Sequence, residues 1–150
     1  MNEVTKTQSY NEDLVAFFET DLMSEADLIY RVACGYSLDQ SIAYDVVSKT
    51  YKGLVKDLVA LSQLESQEIR IRLLSDLLKH LKDIKPAGKP GKTVLLGFLK
   101  DFEANDRLII LLSELGGLLP KECADLVGKD EVFIRKSLAK IRKELVTFCN

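Results

Sequence analysis

Apolar residues recur at helical spacing along almost the whole chain, and no segment alternates apolar and polar residues between hairpin turns. The pattern predicts an all-α protein. The first two helices are expected over residues 11–20 and 24–33, with Asn11 and Ser24 as N-caps and Gly35 as the terminating residue.

A long third helix is predicted next, because Ser37 and Gln40 have the spacing of a capping box. Its buried stripe is expected to contain Ile42, Ala43, Val46, Val47, Leu54, Val55, Leu58 and Leu61. A fourth helix is expected over residues 64–81, with an inward face formed by Ile69, Leu73, Leu74, Leu77, Leu78 and Leu81. Four such helices are enough to close a small bundle.

The segment over residues 85–92 interrupts the helical pattern. Its prolines lack the backbone N–H that a helix uses, and its glycines lose more conformational entropy on ordering than other residues do. We therefore expect two small helical lobes, a bundle over residues 1–84 and a second unit over residues 93–150, joined by a Pro/Gly/Lys linker.

The second lobe has the spacing of a helix-turn-helix. Its helices are predicted over residues 94–102, 106–115 and 121–127, and from Asp130 or Glu131 to about residue 146. The helix-ending and helix-starting residues are expected to be Gly116, Gly117 and Pro120.

The turn itself is predicted from four positions. Ala124, Gly128, Ile134 and Leu138 supply the small, turn and core residues that two helices crossing over a short turn require, with a positive φ expected at Gly128. The alternative is an ordinary helical hairpin. The small residue at position 124 favours the helix-turn-helix, because a bulky side chain there would push the two helices apart.

Charge is distributed unevenly along a chain that is otherwise ordinary in composition. The 150 residues are 47% hydrophobic, enough to bury a core, and the formal net charge is −2. Residues 1–83 hold nine basic and fourteen acidic side chains, a net charge of −5, whereas residues 93–150 hold nine of each. The acidic excess therefore lies in the first lobe and does not argue against a DNA contact in the second.

The last helix carries a basic outward face. With its apolar residues turned inward, it presents Phe133, Arg135, Lys136, Lys140 and Lys143, and these are the predicted DNA contacts. The alternative is a solvated basic face near a helix C-terminus, where the helix dipole favours cations. Residues 130–145 hold five basic and three acidic side chains, a net charge of +2, which favours the DNA contact.

No cofactor, metal site or catalytic constellation is predicted. Cys34, Cys123 and Cys149 lie far apart without a metal-ligand spacing, so we interpret them as reduced packing residues. His80 has no nucleophile or carboxylate arranged with it, and no enzyme activity is expected. We find no signal-peptide pattern and no apolar run of about 18 residues, so no membrane partner is expected and a cytoplasmic location is predicted.

The order of residues in the second lobe is similar to that of a known family. Arg107 lies in a helix pair that precedes Glu122-Cys-Ala124, and the last helix ends in a basic-rich stretch over residues 140–145. This arrangement resembles region four of extracytoplasmic-function (ECF) sigma factors. The resemblance implies that the last helix reads the upstream element of promoter DNA and that the lobe rests on the flap of RNA polymerase.

The first lobe resembles region two of the same family. Residues 28–33 resemble its first core helix, and residues 43–47, Ala-Tyr-Asp-Val-Val, resemble its Ala-Glu-Asp-Val-Val signature. The resemblance implies that Asp45, with Lys49 and Lys52, contacts the clamp helices of core RNA polymerase. Lys49 departs from the family, which often has an acidic residue at this point of the helix.

The resemblance as a whole implies a sigma factor that directs transcription initiation. One departure bears on promoter opening, because the chain has no Trp and no aromatic residue between Tyr51 and Phe98, where the family has aromatic residues for strand capture. The alternative is a sigma-like mimic that binds an anti-sigma factor or another regulatory protein without initiating transcription. A helix-turn-helix repressor would account for the second lobe alone.

Overall fold

The computed structural model of the protein describes residues 11–84 and 99–149. Every regular element in these two ranges is helical, which confirms the all-α prediction. The predicted linker over residues 85–92 and most of the helix predicted over residues 94–102 lie outside the described residues. No helix within the described ranges is long and apolar enough to cross a membrane.

Eight α-helices lie in the described ranges. The first range contains α1 over residues 11–17, α2 (Ala26–Ser37), α3 (Gln40–Leu54), α4 (Leu58–Ser62) and α5 (Ser66–Leu81). A π-helical turn (Phe18–Leu22) and a 3-10 turn (Met23–Glu25) join α1 to α2, and a 3-10 turn (Val55–Asp57) joins α3 to α4. The second range contains α6 (Ala104–Ile110), which continues as a π-helical turn (Leu111–Leu115), then α7 (Pro120–Val127) and α8 (Glu131–Cys149).

The predicted boundary between α2 and α3 is wrong. Gly35 lies inside α2, which ends at Ser37 and is followed by Leu38, a residue with a left-handed φ of 60°. Ser37 does not cap α3, because its buried hydroxyl donates a 2.7 Å hydrogen bond to the carbonyl one turn earlier. Asp39 caps α3 instead, and its carboxylate accepts hydrogen bonds from two backbone N–H groups of the first turn.

The other two predicted caps are wrong as well. Asn11 is already helical and so lies within α1. Ser24 lies inside the 3-10 turn, where its hydroxyl donates a 2.9 Å hydrogen bond to the Asp21 carbonyl, and Glu25 occupies the N-cap position of α2. Short polar side chains bond to backbone either forward or backward along the chain, and the local sequence does not distinguish these two uses.

The stripe predicted along the third helix is interrupted. The 3-10 turn breaks the helix after Leu54, and Val55, expected to be buried, is 54% exposed. A 3-10 turn winds more tightly than an α-helix and rotates the residues within it out of the α-helical register. The six residues predicted to form the inward face of α5 are all buried, which confirms that prediction.

Helix α2 lies between the two halves of the chain. It packs on α3 and α5 from the first range and on α6 and its π-helical extension from the second. A Cβ atom at Gly35 would lie 2.7 Å from both Cδ atoms of Leu111, so only a residue without a side chain permits this approach. The buried apolar residues of both ranges form one hydrophobic cluster. The two predicted lobes therefore share a core.

A buried arginine links α6 to α2. The Arg107 side chain donates hydrogen bonds to the Phe102 carbonyl at 2.7 Å and to the Tyr36 carbonyl at 3.1 Å, and its guanidinium lies 5.9 Å from the centre of the Tyr36 ring. Its Nε has no hydrogen-bond partner. Burial lowers the pKa of the Arg107 guanidinium from its usual value.

A second arginine spans the same junction from α5. The Arg70 guanidinium forms an ion pair with Glu25, with an Nε to Oε2 distance of 2.8 Å, and donates a 3.3 Å hydrogen bond to the Gly116 carbonyl. The hydrogen bond to Glu25 raises the pKa of Arg70, and burial opposes this effect. Hydrogen bonds of Arg70 and Arg107 thus join the two halves of the chain in addition to their apolar packing.

Candidate nucleic-acid interface

The turn between α7 and α8 contains the positive φ that the sequence predicts at Gly128. Pro120 is the first residue of α7, and Gly128 ends this helix with a φ of +77°. The Gly128 N–H donates to the Ala124 carbonyl at 2.9 Å. The Asp130 carboxylate then accepts a 2.7 Å hydrogen bond from the Phe133 N–H in the first turn of α8, which identifies it as the residue that caps this helix.

The inner side of α8 is fixed by apolar packing. Ile134, Leu138 and Ile141 are buried, and Ala124 of α7 is buried opposite them, as the spacing predicted for the first two and for Ala124. The helix packs on α6 as well as on α7. Packing on these two helices therefore determines which side of α8 faces solvent.

Four residues form the outward ridge of α8: Val132, Lys136, Ala139 and Lys143. They follow the i, i+4, i+7, i+11 spacing of one helix face, opposite the buried residues, and all four are exposed. The ridge combines an aliphatic side chain, a lysine, a small residue and a second lysine. Val132 and Ala139 were not predicted as part of this face. Only basic and aromatic residues were expected to contact DNA, because aliphatic residues in an amphipathic helix usually belong to the core.

The other cations of α8 lie beside the ridge in ion pairs with the protein's own carboxylates. These pairs are Arg135–Glu131 at 2.7 Å, Lys140–Asp106 at 3.4 Å and Arg142–Glu114 at 3.0 Å. Among the described residues, Lys136 and Lys143 have no ion-pair partner. The free positive charge of this face therefore lies on the outward ridge.

The five residues predicted to contact DNA are all exposed on α8, but they do not form one group. Lys136 and Lys143 lie on the outward ridge, whereas Arg135 lies on one flank, and Phe133 and Lys140 lie on the other. The Phe133 ring is 5.5 Å from the Lys129 ammonium group, a cation–π contact within the protein.

The acidic residues at the start of α8 are engaged with their own chain. Asp130 accepts a backbone hydrogen bond and Glu131 pairs with Arg135. Neither carboxylate is left to project from the ridge.

Comparisons with protein-family models, curated proteins and solved structures find no match. The interpretation of the α8 face therefore depends on the geometry of its side chains.

The residues predicted to contact polymerase lie together on α3. Asp45, Lys49 and Lys52 are all exposed and follow the i, i+4, i+7 spacing of one helix face. Asp45 and Lys49 form an ion pair at 3.0 Å. Tyr44, which is 70% exposed, lies next to Asp45 and was not predicted as part of the site. Of these four side chains, the exposed aromatic one is of the kind that is enriched at protein interfaces.

The remaining titratable groups of the described residues were compared with the arrangement that a metal ion requires. Among the described residues, no group of three or more His, Cys, Asp or Glu side chains could hold a metal ion. Cys34 and Cys123 are free thiols in the core, and burial raises the pKa of Cys123 to about 11. His80 lines a shallow groove between α3 and α5 together with Lys56, Arg72 and Lys79. The side chain of Cys149 lies outside the described residues.

Proposed function

We propose that this protein acts in transcription initiation as a sigma-like subunit that binds core RNA polymerase and contacts promoter DNA through the outward ridge of α8. The observation that carries the proposal is a pair of lysines on the outward ridge, Lys136 and Lys143, for which the described residues provide no carboxylate partner. The order of the sequence segments, similar to regions two and four of ECF sigma factors, supports the choice of partner.

The spacing of the ridge suits a DNA groove. Seven residues separate the two lysines, which corresponds to about 10 Å along a helix. Two cations at this distance can reach phosphates on either side of a major groove about 12 Å wide. Ala139, between them, lets the helix approach the base edges closely. Each lysine would neutralise one phosphate and release counterions, which makes binding dependent on salt.

The polymerase contact is proposed for α3. Its exposed face offers Asp45, Lys49, Lys52 and Tyr44 on a helix whose other side is buried in the bundle. The proposed role involves no cofactor and no catalysis by the protein itself, and it requires a location in the cytoplasm beside the polymerase.

The first experiment tests both contacts with the full-length chain. The protein is mixed with core RNA polymerase for a pull-down, followed by run-off transcription from genomic fragments. Specific transcripts would support a working sigma-like subunit. In a Lys136→Ala/Lys143→Ala variant, the slope of log affinity for promoter DNA against log salt should fall by about 2, because about 0.9 is lost per phosphate contact.

The matched control is Lys79→Ala/Lys82→Ala, which removes two exposed lysines, one in the last turn of α5 and one just after this helix, and the same net charge. This variant should keep the salt slope of the wild-type chain. Equal slopes for all three proteins would contradict a DNA contact at the outward ridge.

A second candidate function is that of a sigma-like mimic that binds an anti-sigma factor or another regulatory protein. It is favoured by the ion pairs of Arg135, Lys140 and Arg142, which leave α8 with fewer free cations than its sequence suggests. The lack of aromatic residues between Tyr51 and Phe98 also favours a mimic that does not open promoter DNA. Polymerase binding without any transcript, or neither activity, would favour this candidate.

A further inference from the structure

We infer that Val132 reads a thymine in the DNA duplex by contact with its 5-methyl group. This inference rests on the proposed function of α8 and deepens it by naming a base. Val132 is the first residue of the outward ridge and is 60% exposed. It lies one helical turn before Lys136, at the N-terminal end of the helix.

The position of Val132 is the one from which a helix in the major groove meets base edges. In a helix docked there, the N-terminal residues contact the bases while later cations contact the backbone. The two polar side chains that precede Val132 are occupied, Asp130 by the Phe133 N–H and Glu131 by Arg135. Val132 is therefore the leading side chain of the ridge, and the contact it offers is aliphatic.

Only one base presents an apolar group in the major groove. Thymine carries a methyl group at C5, whereas the other edges present hydrogen-bond donors and acceptors. A valine facing guanine, cytosine or adenine would cover polar atoms without bonding to them, which costs free energy. A valine facing the thymine methyl buries apolar surface on both partners. The chemistry of the side chain thus selects thymine.

Phe133 is the other exposed apolar residue at this end of α8, and its geometry does not favour the same role. Its ring lies on the flank of the helix, is 40% exposed and is in contact with Lys129. It is about 100° around the helix from Val132, because successive residues are separated by that rotation. Of these two residues, we assign the thymine contact to Val132.

The chain offers a matched control for Val132. Val146 is on the same helix, is 61% exposed and has the same side chain. It lies 14 residues later, about 21 Å along the helix axis, beyond the part that enters a groove. Replacing either valine by alanine removes the same exposed aliphatic surface, so the two substitutions differ only in position.

The experiment uses the full-length chain, alone and with core RNA polymerase. Duplexes that bind the wild-type protein are selected from a random-sequence pool, and each thymine of the selected site is then replaced by deoxyuridine, which lacks only the methyl group. We expect about a fourfold loss of affinity at one thymine, the value of one buried methyl group. Val132→Ala should bind the thymine and uracil duplexes equally, and Val146→Ala should behave as wild type.

Each other outcome overturns the inference, and the outcomes separate it from the proposed function. If the wild-type protein selects no duplex under either condition, DNA binding by α8 is refuted together with the base contact. If duplexes are selected but no thymine responds to uracil, the proposed function stands and the role of Val132 is refuted. The same holds if Val132→Ala keeps the full thymine preference. Val132→Thr, which retains one methyl group, should keep part of it.

Discussion

The two halves of the molecule bury polar groups in different ways. In residues 11–84 the buried hydroxyls of Ser37 and Thr50 donate to carbonyls one turn earlier in their own helices. In residues 99–149 the buried polar residues include the ionisable Asp106 and Arg107. One hydrogen bond of Arg107 goes to Tyr36, in the other half. In the first half these two hydroxyls find hydrogen-bond acceptors within their own helices. In the second half the buried guanidinium of Arg107 needs an acceptor from the first half.

This difference predicts that the two halves unfold together. All five tyrosines lie in residues 1–84, so tyrosine fluorescence reports on the first half, whereas circular dichroism at 222 nm reports on helices in both. We expect coincident urea transitions from the two probes, because a shared core makes unfolding cooperative. Two separate transitions would show that the halves behave as independent lobes despite their contact.

The next largest effect is expected at the buried guanidinium. Arg107→Met keeps most of the side-chain volume but removes two hydrogen bonds, and we expect a loss of about 2 kcal/mol in the free energy of unfolding. Arg72→Met is the matched control, because Arg72 is half-exposed and pairs with Asp57 and Asp76 on the surface. Arg72→Met should lower the free energy of unfolding by less than about 1 kcal/mol. Urea denaturation measures the free energy of unfolding of both variants, and equal losses would contradict the comparison.

A smaller effect is expected where α2 meets Leu111. Gly35→Ala adds a methyl group where a Cβ has no room, and the cost of overpacking should exceed the gain in helix propensity by about 1 kcal/mol. Gly53 lies in α3 with no atom within 4 Å of an added Cβ. Gly53→Ala should therefore stabilise the protein by about 0.5–1 kcal/mol. Thermal unfolding of both variants tests the contrast in sign.

The smallest effect is a dependence of stability on high pH in the second half. Burial, with a contribution from Glu122, raises the pKa of Cys123 from 9.0 to about 11 in the folded protein. The neutral thiol is favoured in the core, so its contribution to stability is present below pH 9 and is lost as the pH rises toward 11.

A Cys123→Ala variant should lose less stability than the wild type over this pH range, measured by urea midpoints. Tyr51 provides the comparison in the first half. Burial raises the pKa of its hydroxyl as well, and that hydroxyl donates to the Leu22 carbonyl at 2.8 Å. Ionisation of Tyr51 affects stability only above pH 10. A difference in stability between Cys123→Ala and the wild type at pH 9–10 therefore identifies the Cys123 thiol as the responsible group. Identical pH profiles would contradict the assignment.

Much of the fold was predictable because helical periodicity is a local property. The inward face of α5, the turn at Gly128 and the burial of Ile134 and Leu138 follow from spacing alone. Helix ends were less predictable, because Ser24 and Ser37 were expected to accept hydrogen bonds from the first turn of a helix, whereas their hydroxyls donate to carbonyls earlier in the chain. The direction of such a bond depends on packing that a short sequence window does not contain.

The candidate site was predictable in composition but not in arrangement. The exposed face of α8 and its five named residues were expected, yet the ion pairs of Lys140 with Asp106 and of Arg142 with Glu114 join residues 34 and 28 positions apart. Those pairs decide which cations stay free. Val132 was overlooked because an aliphatic residue in an amphipathic helix is assigned to the core unless the core is known.

The sequence by itself determined that the chain is helical, where most of the helices lie and which side of each is apolar, because these depend on residues within a few turns of one another. Only the tertiary structure decided that the two halves share a core, that Gly35 is a contact point rather than a helix end, and that Arg107 is buried. These three features depend on which helix surfaces pack together. Such packing is determined by shape complementarity and burial between residues about 70 positions apart, as with Tyr36 and Arg107.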